Sequence, residues 1–262
     1  MSTVLDLVGC LIERFPFEWA EDWDRVGLLA GDPDATVSRV FVTLDATLAS
    51  LEAARAAGAN VLLTHHPAFL DALETVTADS AGAAVAFQAV AAGIALVNCH
   101  TNLDRAPDGA DALPAALVLP SLGPLEAEGD DPSMPRAGRI CALAPGWTLA
   151  SLAAHVKGRL GGAPRVWGRA ESPIARVGIA PGGGGSLVEA AIDAGCDVLL
   201  TGELRYHGAL AALDRGLLVI EAGHDATEWP LVRVLADTVA TAAGFGPESV
   251  VLDPPAYRWW TA

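Results

Sequence analysis

Several features are scarce in this chain, and each scarcity excludes something. Cysteine occurs four times, as Cys10, Cys99, Cys141 and Cys196, with no CxxC pair. That excludes a disulfide framework and a thiolate zinc knuckle, so the four read as small buried hydrophobes in a reducing compartment. Basic residues are few: 16 Lys and Arg stand against 32 Asp and Glu, for a net charge of −16. Without a basic cluster, a nucleic-acid phosphate backbone is not an expected partner. No apolar run approaches the ~18 residues of a membrane span. The opening Met1-Ser2-Thr3-Val4-Leu5-Asp6 lacks the basic segment of a signal peptide. The expectation is a cytoplasmic protein that crosses no membrane, kept soluble by an acidity that also attracts cations.

What is present is a long, apolar, aliphatic chain. Its 262 residues are 52% hydrophobic but only 6% aromatic, enough for one large or two smaller α/β domains. Helical spacing of Val4, Leu5, Val8, Leu11 and Ile12 predicts a helix over 3–14. Strands are expected at 37–44, 60–63 and 94–97, with helices at 48–57 and 82–92 between them. After a Pro-, Gly- and acid-rich stretch at 120–138, the alternation resumes. It gives strands at 140–143, 165–168, 174–180, 197–201, 217–221 and 249–252, and helices at 149–160, 187–194 and 228–243. A short helix is expected to end near 214. Strand–helix alternation argues for parallel βαβ units. An echo supports duplication: residues 52–64 and 189–201, offset by 137, agree at nine of thirteen positions. The expected fold is α/β, with two related halves and largely parallel sheets, divided as 1–128 and 129–262. The aromatic tail with Tyr257, Trp259 and Trp260 is expected to dock onto its own or a neighbouring subunit.

The chemistry collects just beyond the strands. Of six histidines, His65, His66, His100, His207 and His224 follow predicted strand ends, and His155 is expected on a helix surface. In open α/β sheets these ends are where ligands gather. Asp45, Asp104, Glu203 and Glu228 join them, and the pairs His100/Asp104 and His224/Glu228 are each four residues apart, one helical turn. Thr227 and Pro230 place Glu228 in the first turn of its helix. Imidazoles and carboxylates without thiolate suit zinc, manganese, iron, cobalt or nickel, and the donors are numerous enough for a two-metal site. The plainer reading is that these groups fasten loops to one another. The glycine run 182–185 opens a helix and its amides can hold an anion, but it lacks the Walker and dinucleotide patterns, and a tight structural turn is the simpler expectation.

Five motifs carry a family resemblance: Glu-Asp-Trp-Asp-Arg-Val-Gly-Leu-Leu (21–29), Thr-His-His-Pro (64–67), His-Thr-Asn-Leu-Asp (100–104), Thr-Gly-Glu-Leu-Arg-Tyr-His (201–207) and Gly-His-Asp-Ala-Thr-Glu (223–228). In these the chain resembles the NIF-three-like dinuclear-metal family, whose members are also known as type 2 GTP cyclohydrolase I homologues. The resemblance implies two divalent ions per chain in a cleft between facing α/β halves. It implies His65, His66, Asp104, His224 and Glu228 as ligands, with Glu228 bridging, and a toroidal homohexamer. His100, Glu203 and His207 then stand behind the ligands or on the substrate side, with His100 and His207 as candidate proton carriers. The chain departs from the family at Glu203, where Asp is usual, at Asp225, where an aromatic is usual, and over 105–111, and none of these removes a ligand.

Two functions follow from the resemblance. One is a metal-dependent hydrolase acting on a nucleotide or another phosphate-containing small molecule, the family's name pointing to ring opening of GTP with loss of C8 as formate. The other is a non-catalytic protein that binds or delivers metal, or supports protein interactions.

Overall fold

The computed structural model describes residues 2–79, 83–127, 129, 131, 133–242 and 244–254. The chain packs into two compact units, one within 2–106 and 231–254, the other within 107–230. The Pro- and Gly-rich stretch 120–138, expected as the boundary, lies inside the second unit. The aromatic tail falls outside the described residues.

The strands, in chain order, are β1 (Gly27–Ala30), β2 (Val40–Thr43), β3 (Val61–Thr64), β4 (Ala95–Asn98), β5 (Ser121–Pro124), β6 (Arg139–Ala142), β7 (Arg165–Trp167), β8 (Arg176–Gly183), β9 (Val198–Glu203), β10 (Leu218–Glu221) and β11 (Val250–Leu252). The helices are α1 (Val4–Arg14), α2 (Leu48–Ala56), α3 (Ala83–Ala91), α4 (Thr101–Arg105), α5 (Pro107–Leu117), α6 (Leu149–Leu160), α7 (Val188–Asp193), α8 (Tyr206–Asp214) and α9 (His224–Thr241).

In the first unit the sheet order is β1-β4-β3-β2-β11. β11, β2, β3 and β4 run parallel, and β1 closes the edge antiparallel to β4. β2, β3 and β4 are buried throughout, which is why they read as unbroken apolar runs rather than alternating ones. α2 is entered through a capping box, Thr47 with Ser50. Leu51 and Ala54 of α2 and Val85 and Ala89 of α3 pack against Phe41, Leu62 and Leu96.

In the second unit the order is β5-β6-β8-β9-β10-β7, with β8, β9 and β10 parallel and antiparallel strands on either side. Alternation along β9 serves two cores: Leu200 packs with Leu152, Val156 and Ile179, and Leu199 with Ala209, Ala212 and Val219.

The echo marks a repeated architecture. α1-β1-β2-α2-β3-α3-β4 in one unit corresponds to α6-β7-β8-α7-β9-α8-β10 in the other, each with three parallel strands and an antiparallel strand on the last of them. Small details repeat as well. Asn60 Oδ1 accepts the amides of Ser38 and Arg39, at 2.8 and 3.4 Å. Asp197 Oδ2 accepts those of Ala175 and Arg176, at 2.7 and 2.9 Å, each residue 137 positions later.

Three expectations are corrected. α9 starts at His224 rather than near 228, so Glu228 lies one turn into the helix and Pro230 inside it. The turn closes early because the Thr227 amide already donates to Gly223 O at 3.0 Å. His155 is not a free surface residue: its Nε2 lies 2.7 Å from Leu117 O, and its ring meets Trp147 edge-on at 5.4 Å. α5 was not foreseen, because Pro107, Gly109 and Pro114 interrupt its pattern. Burial of Leu113 and Leu117 outweighs that weak propensity.

Candidate metal centre

In the first unit the donors grow from the ends of β3 and β4. Pro67 ends β3 and turns the chain, so two consecutive imidazoles come together: the rings of His65 and His66 are 5.0 Å apart. His100, which follows β4 and precedes α4, joins them at 5.2 Å from His65 and 5.6 Å from His66. One ligand nitrogen from each of the three lies within 4.8 Å of the others. Asp104, on the short helix α4, brings Oδ1 to 3.6 Å from His65 Nε2.

Each imidazole is held by Nδ1. His65 is fully buried and its Nδ1 contacts Cys99 O at 3.0 Å. His66 Nδ1 contacts Asp45 Oδ1 at 2.8 Å, and His100 Nδ1 contacts Asp24 Oδ1 at 2.8 Å. A carbonyl and ionised carboxylates can only accept, so Nδ1 carries a proton, and in the neutral tautomer this leaves the lone pair on Nε2. That is the arrangement in which an imidazole ligates through Nε2 while a partner fixes its orientation.

Asp24 is the most heavily bonded of these partners. It is 7% exposed and also accepts from the Thr101 amide at 3.0 Å, the Thr101 hydroxyl at 2.5 Å and the Arg25 amide at 2.7 Å. Burial pushes its carboxyl upward, but His100 and the Thr101 donors outweigh that and bring it down to about 2. The adjoining Trp23 is 56% exposed and sets its indole edge-on to His100 at 5.9 Å.

In the second unit His224 opens α9 and Glu228 follows one turn later, with Nε2 to Oε2 at 3.0 Å. His224 Nδ1 faces Glu203 Oε1 at 3.4 Å. The glycine run makes room for this pair. Gly182 has φ +62°, and a Cβ there would stand 1.9 Å from Glu228 Oε1. Thr227 Oγ1 accepts the Gly182 amide at 3.0 Å, and Thr201 Oγ1 donates to Gly182 O at 3.0 Å. The run is structural, but not the tight turn the sequence suggested: Gly182 and Gly183 end β8, and Gly184 and Gly185 open a short 3-10 helix, Gly184–Leu187, fitted beside the start of α9.

Donors of the kind that hold a divalent cation stand in both units, a cluster in the first and a pair in the second. With Nδ1 protonated, His224 Nε2 and a Glu228 carboxylate oxygen are two electron-pair donors at 3.0 Å, and His65 Nε2 and Asp104 Oδ1 are two more at 3.6 Å. A shared proton or a shared cation reconciles such a pair. All-nitrogen-and-oxygen donors suit the zinc-to-manganese range.

Of the residues singled out in the sequence, His65, His66, His100 and Asp104 come together in one unit, and His224, Glu228 and Glu203 in the other. His207 stands apart at the start of α8, exposed, with its ring 5.3 Å from that of Tyr206. The part of Asp24 was not anticipated. Its signal was an acid beside an exposed tryptophan in the 21–29 motif.

The described residues include no helix long and apolar enough to cross a membrane. A model of the Duf34/NIF3 (NGG1p interacting factor 3) family matches residues 2–253. A Streptomyces coelicolor protein named "GTP cyclohydrolase 1 type 2 homolog" is 37% identical over 236 residues, covering 88% of this chain and 83% of that one. A Clostridium acetobutylicum protein of the same name is 29% identical over 235 residues, covering 89% and 88%. Among solved structures, Staphylococcus aureus protein SA1388 superposes with a TM-score of 0.87 at 23% identity, over 100% of this chain and 99% of that one. A Bacillus cereus protein related to NIF3 gives 0.84 at 21% identity, over 100% and 98%. At these identities the structural likeness is one of fold.

Proposed function

The chain belongs to the Duf34/NIF3 family, and on that premise we propose that it binds two divalent ions and uses them to hydrolyse a nucleotide. The ligands are His65, His66 and Asp104 of the first unit and His224 and Glu228 of the second. The observation that carries this reading is the common posture of the imidazoles, each held through Nδ1 by an oxygen, with Nε2 of His65 beside Asp104 and Nε2 of His224 beside Glu228. Loop fasteners would have no need to pair the same nitrogen with a carboxylate in both units.

Bound divalent ions supply Lewis acidity and a lowered water pKa. The chain's own groups do the rest. Asp45 and Glu203 orient His66 and His224. His207, exposed at the start of α8, is the proton carrier on the substrate side. A nucleotide is suggested by the relatives' name, and with a net charge of −16 bound metals and local Arg side chains would have to offset the repulsion of a triphosphate. The four cysteines are free, which supports a reducing, cytoplasmic setting. A homohexamer completes the reading.

The test is metal content by elemental mass spectrometry on wild type and Glu228→Ala, followed by formate release from GTP. About two ions per chain in wild type, a clear loss in the variant, and formate only from the loaded wild type are expected. Metal without turnover of GTP or other nucleotides would leave a metal-binding or delivery protein. Absence of metal after reconstitution would overturn the reading altogether.

A further inference from the structure

The two units repeat one architecture, so a corner where the second departs from the first shows what the second has acquired. With the offset of 137, Ala30, Ala68, Phe69 and Leu70 correspond to Trp167, Arg205, Tyr206 and His207. Strand pairing agrees: Ala30 stands opposite Leu96, the second residue of β4, and Trp167 opposite Val219, the second residue of β10. The last residues of those strands correspond as well, Asn98 beside Thr64 and Glu221 beside Thr201. In the first unit this corner is apolar, and Ala30, Ala68 and Phe69 pack against the core. In the second unit it is aromatic and basic.

Glu221 holds the corner together. It is 7% exposed, its Oε2 accepts from Trp167 Nε1 at 2.6 Å, and its Oε1 accepts from the Leu204 amide at 2.9 Å. Arg165, opposite Glu221 on β7, reaches the same carboxylate at 3.4 Å with a side chain 68% exposed. A carboxylate buried so deeply is costly unless donors satisfy it. Here it locks the indole and the chain after β9 that carries Arg205 and Tyr206. Tyr206 is the middle of three rings, 5.6 Å from Trp167 and 5.3 Å from His207. It remains 60% exposed, so its aromatic surface is open to a ligand. The charges narrow the choice of ligand. In a chain with 32 acidic and 16 basic residues, 163–169 and 204–207 carry Arg165, Arg169 and Arg205 and no acid. Aromatic faces stack on planar rings, and guanidinium groups pair with phosphate.

We propose that Tyr206 and Trp167 form a stacking shelf for the planar base of a nucleotide, with Arg165 and Arg205 taking its phosphate. This deepens the nucleotide reading above and rests on it, but not on the metals. Stacking accepts either purine, because every base has a π-face. His207, one ring along from Tyr206, then stands beside the bound ligand, where the proton carrier of that reading belongs.

The experiment is isothermal calorimetry on the full chain as purified, with guanosine and adenosine as probes, each with and without a 5′-phosphate. Wild type, Tyr206→Phe, Tyr206→Ala and Arg165→Gln are compared, with circular dichroism to establish that each is folded. Phe87→Ala, at an exposed ring of the first unit, is the control. Formate release from GTP is followed in parallel. Tyr206→Ala should weaken the nucleosides and their monophosphates alike, by about 5–100-fold. Tyr206→Phe keeps the ring and should bind like wild type, as should Phe87→Ala. Arg165→Gln should weaken the monophosphates and leave the nucleosides unchanged. Equal affinity of wild type and Tyr206→Ala for every probe, or no binding of any probe by wild type, would overturn the shelf, and formate released all the same would leave the hydrolase reading standing without it. Binding that is lost in Tyr206→Ala, with no formate from any protein, would uphold the shelf and overturn the hydrolysis. Should Tyr206→Ala fail to fold, Arg165→Gln decides, since a loss confined to the monophosphates belongs to a phosphate contact and not to the fold.

Discussion

Gly182→Ala tests how the second donor pair is built. An alanine Cβ would stand 1.9 Å from Glu228 Oε1 and 3.3 Å from His224 Nε2, where contacts under 3.0 Å are essentially never found. The Glu228 carboxylate must therefore retreat by roughly 1 Å, on the scale at which a misplaced group loses its function. The backbone adds its own cost: φ is +62°, and a left-handed conformation costs an L-residue about 1–2 kcal/mol. For a chain of this size that corresponds to a fall in melting temperature of roughly 2–8 °C. Gly183→Ala is the control, because a Cβ at Gly183 meets nothing within 4 Å. Differential scanning fluorimetry and metal content, measured side by side, should show Gly182→Ala mildly destabilised and depleted of metal, with Gly183→Ala like wild type. Wild-type metal content in a folded Gly182→Ala would refute the claim that Glu228 is placed by the end of β8.

Two further outcomes follow from the hydrogen bonds. Asp24 is held at about 2, below its ordinary 3.8, so the folded state binds its proton more weakly than the unfolded chain. Ionised Asp24 then stabilises the metal-free protein by roughly 2 kcal/mol above pH ~4, and the contribution is lost as pH falls through about 2. In urea titrations, wild type should exceed Asp24→Asn at neutral pH by a margin that shrinks in acid, and a margin independent of pH would contradict the reasoning. Asn60→Ala and Asp197→Ala each remove the acceptor of two backbone amides at the surface, so each should cost about 0.5–1.5 kcal/mol in the same assay. A neutral result at either position would mean that the repeated bonds do not hold the strand starts.

Much of the fold was legible because its central strands are buried on both faces. Val61–Thr64 and Val198–Leu200 have the continuous apolar character that only covered parallel strands show. Thr47 and Thr148 are N-cap residues of the kind that marks a helix start in sequence, and in the structure Ser50 and Ser151 complete their capping boxes. Pattern fails where tertiary contacts decide. α5 tolerates Pro114 because Leu113 and Leu117 are buried. α9 begins at His224, although Pro230 argues for a later start.

The candidate site was legible in its donors but not in their division of labour, and the duplication explains why. With the 137-residue offset, Asp45, His65 and His66 correspond to Gly182, Gly202 and Glu203. In the first unit those places hold two imidazoles and the aspartate that orients one of them. In the second they cannot: a Cβ at Gly202 would meet Gly182 O at 2.6 Å and His224 Cα at 2.8 Å. The start of α9 has taken that space, and its His224 and Glu228 serve as the donor pair. Glu203, at the place of the proposed ligand His66, instead faces His224 Nδ1 at 3.4 Å. The same strand end thus presents an imidazole in one copy and a carboxylate against an imidazole in the other. Aligning the repeats would give Glu203 the part proposed for His66, whereas the space around Gly182 and Gly202 is already filled by the start of α9.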